Sequence, residues 1–290
     1  MKAKESIPSR IFDIVNMLFM LILIVVMLYP IIYVASASIS SEAQLLSGNV
    51  TLLPKELTLN AYKKVLGDDY IWLSYWNTVR YTAAQTLITL LLTSMFAYPL
   101  SKRRLMGRRP ILLFAAFTML FSGGLIPTFL LVKNLGMLNT IWAIVIPTAI
   151  STWYMFIMRT FFEGLPEELE EAARIDGCSV FGTFLRIVLP LSKPVLMTIG
   201  LYTGVAQWNS FFDALIYLND KALYPLQIHL RNIVIVGTDI ANQGSSDGEQ
   251  APVETLKYAT IMVATLPVLF VYPFIQKYFI QGSMVGSIKG

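Results

Sequence analysis

With 56% hydrophobic and only 14% charged residues in 290, and a mean hydropathy of +0.62, the chain is too apolar for an ordinary soluble domain and reads as an integral membrane protein. Its net charge of +4 is small, and the cations gather beside apolar runs without interleaved aromatics, which speaks for membrane orientation and against nucleic acid. A single cysteine, Cys178, excludes an intramolecular disulfide; with a single histidine, His229, no zinc site of ordinary spacing can be drawn and neither a Cys-His nor a Ser-His-Asp set has convincing spacing, so no catalytic and no metal site is expected.

Residues 1 to 11 form a polar head with Lys2, Lys4 and Arg10, followed by an apolar run from Phe12 to about Tyr33. The run is close to the ~20 residues that span a bilayer and ends in Pro30-Ile31-Ile32-Tyr33, without the small-residue pattern of a signal cleavage site, so it predicts a retained first span with its N-terminus inside. A mixed polar stretch, about 36–75, is the first outer loop, with a short surface helix expected around Asn60 to Leu66. Asn77, Thr78 and Arg80 lead into a second span ending near Leu100, Arg80 being an interfacial anchor that snorkels to water.

The densest positive cluster, Lys102, Arg103, Arg104, Arg108 and Arg109, follows and is assigned to the cytoplasm by the positive-inside rule. A third span runs from Ile111 to about Val132, bent by Gly123-Gly124 and Pro127, either as a gate hinge or as a packing kink. After a turn at Asn134 to Asn139 a fourth runs from Thr140 to about Met158. A fifth spans Pro194 to about Tyr217, a second outer loop covers about 218–254, and a sixth runs from Thr255 to about Ile280 before an inner tail, Gln281 to Gly290. Inner segments then carry twice as many Lys and Arg as outer ones, which predicts an all-α polytopic membrane protein of six transmembrane helices with both termini cytoplasmic, one permease-like domain over 1–290.

Between spans four and five lies a charged insertion, about 160–193. Pro166 suits a first helical position, and Glu167, Glu168, Glu170 and Glu171 put negative charge on the positive end of the dipole, predicting a helix from about Pro166 to Asp176. On it Leu165, Leu169, Ala172 and Ala173 make one narrow apolar stripe with small residues at its end. Gly177 can end the helix in the left-handed conformation. Ser179 can cap a second helix, with Val180, Phe181, Phe184, Ile187 and Val188 on it, which is expected to stop at Pro190. Such an elbow either lies on lipid headgroups or docks in a protein groove; its acidic first arm is repelled by anionic lipid, which favours the groove.

Span five carries Gln207, Trp208, Asn209, Phe212 and Asp213, and lower down Gly200-x-x-x-Gly204, the spacing of close helix packing. Amides beside aromatics suit a sugar's hydroxyls and apolar faces, and Trp208 with Phe212 would share one helix face beside an Asn209–Asp213 polar strip. The other reading is that these residues knit helices together by hydrogen bonds.

Glu171-Ala172-Ala173, Gly177 and Ile187-x-Leu189-Pro190 resemble the EAA loop, the signature of permease subunits of bacterial binding-protein-dependent ABC importers. Phe121 to Pro127, Leu135 to Asn139, Tyr224 to Gln227 and the tail Gly282 to Gly290 resemble the LplC/YtcP-like, MalG-related carbohydrate branch. The resemblance implies a MetI-like fold in a bacterial cell membrane. It also implies a second homologous permease subunit in a heterodimer, a cytoplasmic ABC ATPase dimer, an extracellular solute-binding lipoprotein and a carbohydrate cargo, an oligosaccharide. It assigns ATPase coupling to Glu171, Ala172, Ala173, Asp176, Gly177, Ile187, Leu189 and Pro190: Glu171 offers a charge to a basic ATPase residue, the two alanines allow close approach, Gly177 makes the turn and Pro190 the break before span five. The tail is implied to reach the ATPase. Gly237 to Gln250 has the flexible, polar composition of a probe into the binding protein or of a solvated connection. With no G-x-x-x-x-G-K-[ST] run, the chain holds no cofactor, and ATP and Mg belong to the partner ATPase. The competing readings are an importer of a non-sugar solute, an ion-coupled carrier or channel, or a membrane-embedded enzyme.

Overall fold

In the computed structural model, residues 7–233 and 253–284 are described, and all their regular structure is helical. The chain divides into two compact units, Met1–Ile71 with Leu230–Leu266, and Trp72–His229 with Pro267–Gly290. The expected probe, Gly237 to Gln250, and the end of the tail, 285–290, lie outside the described residues.

In the first unit, helix α1 (Ile7–Ser38) is longer than the expected span and continues through Pro30. Its 32 residues reach about 48 Å at ~1.5 Å each, more than a ~30 Å hydrocarbon core requires. From Ile11 to Ile32 its apolar side chains are almost all exposed, as befits a helix whose surroundings are lipid or protein rather than water. The stretch that follows is knit rather than loose. It contains α2 (Glu42–Leu46) and α3 (Asn60–Leu66), the latter where the sequence placed it. The Ser36 hydroxyl donates to the Leu52 carbonyl at 2.7 Å, and the Thr58 N–H donates to that of Ile39 at 2.9 Å. The Glu56 carboxylate accepts from Ser41 and Gln44, and those bonds hold its pKa below the ordinary value.

The second unit is organised around α4 (Asp69–Ser101), which begins within the expected outer loop. One of its faces carries a buried polar row. Asn77 donates to the carbonyls of Ala222 (2.7 Å) and Tyr224 (3.2 Å), the Tyr81 hydroxyl to that of Leu223 (2.8 Å), Thr78 accepts from the Leu226 N–H (2.8 Å), and Gln85 donates to the Thr148 carbonyl (2.9 Å). The 3-10 turn Lys221–Leu223 and the residue after it have carbonyls that need donors, and Asn77 and Tyr81 of α4 supply them. Arg80 is exposed on the same helix.

The other spans of this unit are broken. Span three is two helices, α5 (Arg108–Leu120) and α6 (Leu125–Asn134), bent 111° across a break where Gly124 has φ +87°. Glycine tolerates that backbone where other residues strain, so the bend foreseen is a full interruption. Span four is likewise α7 (Ile141–Val145) and α8 (Thr152–Glu163), with Pro147 in the gap and the Ser151 hydroxyl accepting from the Tyr154 N–H at 3.4 Å. Asn139, at φ +60°, accepts on its side-chain oxygen from the Asn219 and Asp220 N–H groups, both at 3.0 Å, and so locks two turns together. By length and composition, α1 and α4 can each cross a bilayer unbroken, and two bent pairs can each make one more span among the described residues.

Candidate coupling elbow and solute face

After α8 come α9 (Glu167–Ile175) and α10 (Val180–Leu191), then α11 (Lys193–Trp208) and α12 (Phe212–Tyr217). Pro166 stands just outside α9, at ψ 126°, so Glu167 is its first helical residue. At its other end Cys178 N–H donates to the Ala173 carbonyl (2.8 Å) and Gly177 N–H to that of Arg174 (3.0 Å), the paired bonds of a left-handed glycine cap, with Gly177 at φ +77°. Ser179 caps α10 as expected, accepting from the Gly182 N–H at 3.1 Å.

The apolar stripe expected on α9 is split. Ala173 is buried and Leu165 packs on the core, but Leu169 and Ala172 are exposed. What turns inward beside Ala173 is Glu170, three residues before it on the same face and buried to 6%. Glu171, the charge assigned to coupling, and Asp176 are exposed. On the two arms Leu169, Ala172, Ile175, Val180 and Phe181 are all exposed, as are Glu168, Glu171 and Asp176.

α10 does not stop at Pro190. Its middle, Phe184–Val188, is wound as a π-helix, and it continues to Leu191 before a 78° bend into α11. A π turn bonds each carbonyl to the fifth residue on rather than the fourth, so the N–H missing at Pro190 need not end the helix. Ile187 and Leu189 are half-buried and Pro190 is exposed; the break falls at Ser192. Phe184 and Val188 enter a core with Tyr98, Leu100, Met155, Met158, Phe162 and Ile199.

Charged residues that the sequence reading missed fix the elbow's base. Glu170 is ion-paired with Lys102, whose ammonium also lies 4.9 Å from the centre of the Tyr98 ring. Arg108 and Arg159 both donate to the Leu100 carbonyl, at 2.9 and 3.1 Å, and both pair with Glu163. The last turn of α4 thus has cations against its negative dipole end. In the sequence, Lys102 and Arg108 signal only orientation. A helix with four glutamates in five positions was the available clue, since they cannot all share its outer face.

The proposed solute face is not one helix face. α11 ends at Trp208, where Asn209 donates its side-chain amide to the Val205 carbonyl at 2.8 Å, and α12 starts only at Phe212. The break removes the one-turn relation between Trp208 and Phe212 and the Asn209–Asp213 strip; the amide that closes α11 competes with continuation of the helix. Trp208 meets the edge of Tyr75 on α4 at 6.2 Å, and Tyr75 is 6.2 Å from Trp72. Gln207 and Asp213 are half-buried and Phe212 is exposed. Lower on α11, a Cβ added to Gly200 would come within 3.3 Å of Leu90 and one on Gly204 within 3.5 Å of Thr86, so the glycine pair seats α11 on α4.

Membrane-length helices bearing a capped, exposed elbow on an ion-paired base define a transport permease. The chain belongs to the family described as binding-protein-dependent transport system inner membrane component, which matches residues 3–284, and it has the all-helical MetI-like fold expected. It is 44% identical to the polygalacturonan/rhamnogalacturonan transport system permease protein YtcP of Bacillus subtilis (strain 168), over 97% of this chain and 99% of that protein. It is also 44% identical to protein LplC of the same organism, over 97% and 96%. A chain in the crystal structure of a bacterial ABC transporter involved in the import of the acidic polysaccharide alginate is similar at a TM-score of 0.89 and 38% identity, covering 96% of this chain and all of that one.

Proposed function

We propose that this chain is a transmembrane permease subunit of an ATP-driven importer of oligosaccharides in a bacterial cell membrane, with both termini cytoplasmic. It pairs with a second, homologous permease subunit, receives solute from an extracellular solute-binding lipoprotein, and docks its elbow on a cytoplasmic ABC ATPase dimer that binds ATP and Mg. The single observation that carries the docking is that Leu169, Ala172, Ile175, Val180 and Phe181 are exposed on two arms joined by a glycine cap, among exposed carboxylates. Exposed apolar side chains on a short helical elbow suit a groove, with the small Ala172 letting the partner approach closely and Glu171 meeting a cation at the rim. The carbohydrate cargo is supported by the relatives' own names and by the alginate importer.

Closure of the ATPase dimer draws two docked elbows together, and the helices attached to them switch between inward- and outward-facing arrangements. The test is copurification of the ATPase with the permease pair. Ile175→Glu replaces a strongly exposed apolar side chain of the elbow by a charge and should cost about 2 kcal/mol or more of docking, a loss of roughly thirty-fold in affinity. Retention of the ATPase by that variant would refute the docking. Uptake of a panel of oligosaccharides by proteoliposomes with the cognate binding protein tests the cargo, and transport of none of them refutes it.

A further inference from the structure

The geometry points to Glu170, Lys102 and Tyr98 as positioning residues that carry the elbow's movement into α4. The inference rests on the docking reading above and adds a second route out of the elbow. The first route is covalent, through α10 and the 78° bend at Ser192 into α11. The second is a clamp made by the last turn of α4 and the residue after it. Lys102 pairs with Glu170 on the first arm, and the Tyr98 hydroxyl stands 3.4 Å from the same carboxylate. The Tyr98 ring stacks at 5.0 Å on Phe184 of the second arm and meets Phe162 of α8 edge-on at 6.2 Å. One turn of α4 therefore grips both arms.

Burial gives the clamp its stiffness. The Glu170 side chain is 8% exposed and that of Lys102 21%, so separating them strands a carboxylate away from water, and the elbow moves with α4 rather than off it. The same turn is bound by Arg108 and Arg159 at Leu100, which brings α5 and α8 along. Further up α4, Gly200 and Gly204 sit against Leu90 and Thr86, and Tyr75 against Trp208, so movement of α4 reaches the aromatic residues where α11 ends. Among the four glutamates of α9, only Glu170 is turned inward to do this.

The test uses the whole transporter in proteoliposomes and reads ATP hydrolysed per sugar imported, alongside ATPase copurification. Glu170→Gln and Lys102→Met should each keep the ATPase bound yet raise that ratio by about five-fold or more, the low end of a coupling free energy between sites. Tyr98→Phe, which removes only the hydroxyl, should raise it less. The reciprocal exchange, Glu170→Lys with Lys102→Glu, should bring the ratio back toward wild type, a rescue that mere loss of packing does not predict. An unchanged ratio in the single variants overturns the clamp, as does an exchange no better than either single change. If singles and exchange all fail to assemble, the pair serves folding only and the proposal is equally lost. Failure of docking shows separately, as ATPase retained by Ile175→Glu.

Discussion

Gly177 carries the sharpest single-residue constraint in the elbow. A Cβ there would meet nothing within 4 Å, so space is not what demands glycine; the backbone at φ +77° is. Gly177→Val should cost about 1–2 kcal/mol of local stability and uncouple ATP hydrolysis from uptake, whereas Gly177→Asn, whose side chain tolerates the left-handed region, should retain most coupling. Equal loss in the two, measured as uptake per ATP, would show that the side chain and not the backbone matters. At the other end of the unit, Trp208→Ala should slow sugar uptake while assembly and basal hydrolysis persist. The change removes the edge contact with Tyr75, about 0.5–1.5 kcal/mol beyond the area buried, while the seam at Gly200 and Gly204 stays in place. Failure of the variant to assemble with its partner would make Trp208 a packing residue.

Among the elements, α11 shows why a spacing motif is only half an argument. Gly200-x-x-x-Gly204 announces close packing, but the two positions differ: a methyl at Gly200 meets Leu90 at 3.3 Å, and one at Gly204 finds ordinary contact distances. Gly204→Ala should therefore leave the melting temperature of the solubilised complex near wild type, while Gly200→Val overpacks the seam and should cost about 1–3 kcal/mol. A lower melting temperature for Gly204→Ala than for Gly200→Val would reverse the assignment. α10 teaches the converse. Pro190 is a strong stop signal in sequence, yet the π-helical turn before it lets the helix pass, and the stop moves to Ser192. Where three expected spans became pairs of helices or lost their last turns, the cause was local: Gly124 in the left-handed region, Pro147 in a gap, and an Asn209 amide closing α11.

At the scale of the whole molecule, the proposed six-span topology makes a prediction that needs no substrate. Reporter domains fused before Met1 and after Gly290 should both be active only in cytoplasmic form, and a probe placed in the 36–66 stretch should be labelled from outside the cell. Labelling on the same side as the termini would overturn the charge-based orientation. The turn of the elbow was legible in the sequence because it rests on local chemistry, a glycine at φ +77° and a serine whose hydroxyl caps the next helix, whereas Pro166 falls just outside its helix and the stop expected at Pro190 falls at Ser192. Membrane class and helical fold were equally legible, since apolar runs of bilayer length have few other solutions. Which carboxylate faces inward was not. Glu170 and Glu171 are neighbours of the same chemistry on one short helix, and only the positions of Lys102 and Tyr98, some seventy residues earlier in the chain, decide that Glu170 is buried and Glu171 is left for a partner. The same holds for the polar groups on α4 that pair with the backbone after residue 218: the amino-acid sequence determined that such groups exist, and only the tertiary structure, by bringing distant segments within 3 Å, determined which of them meet.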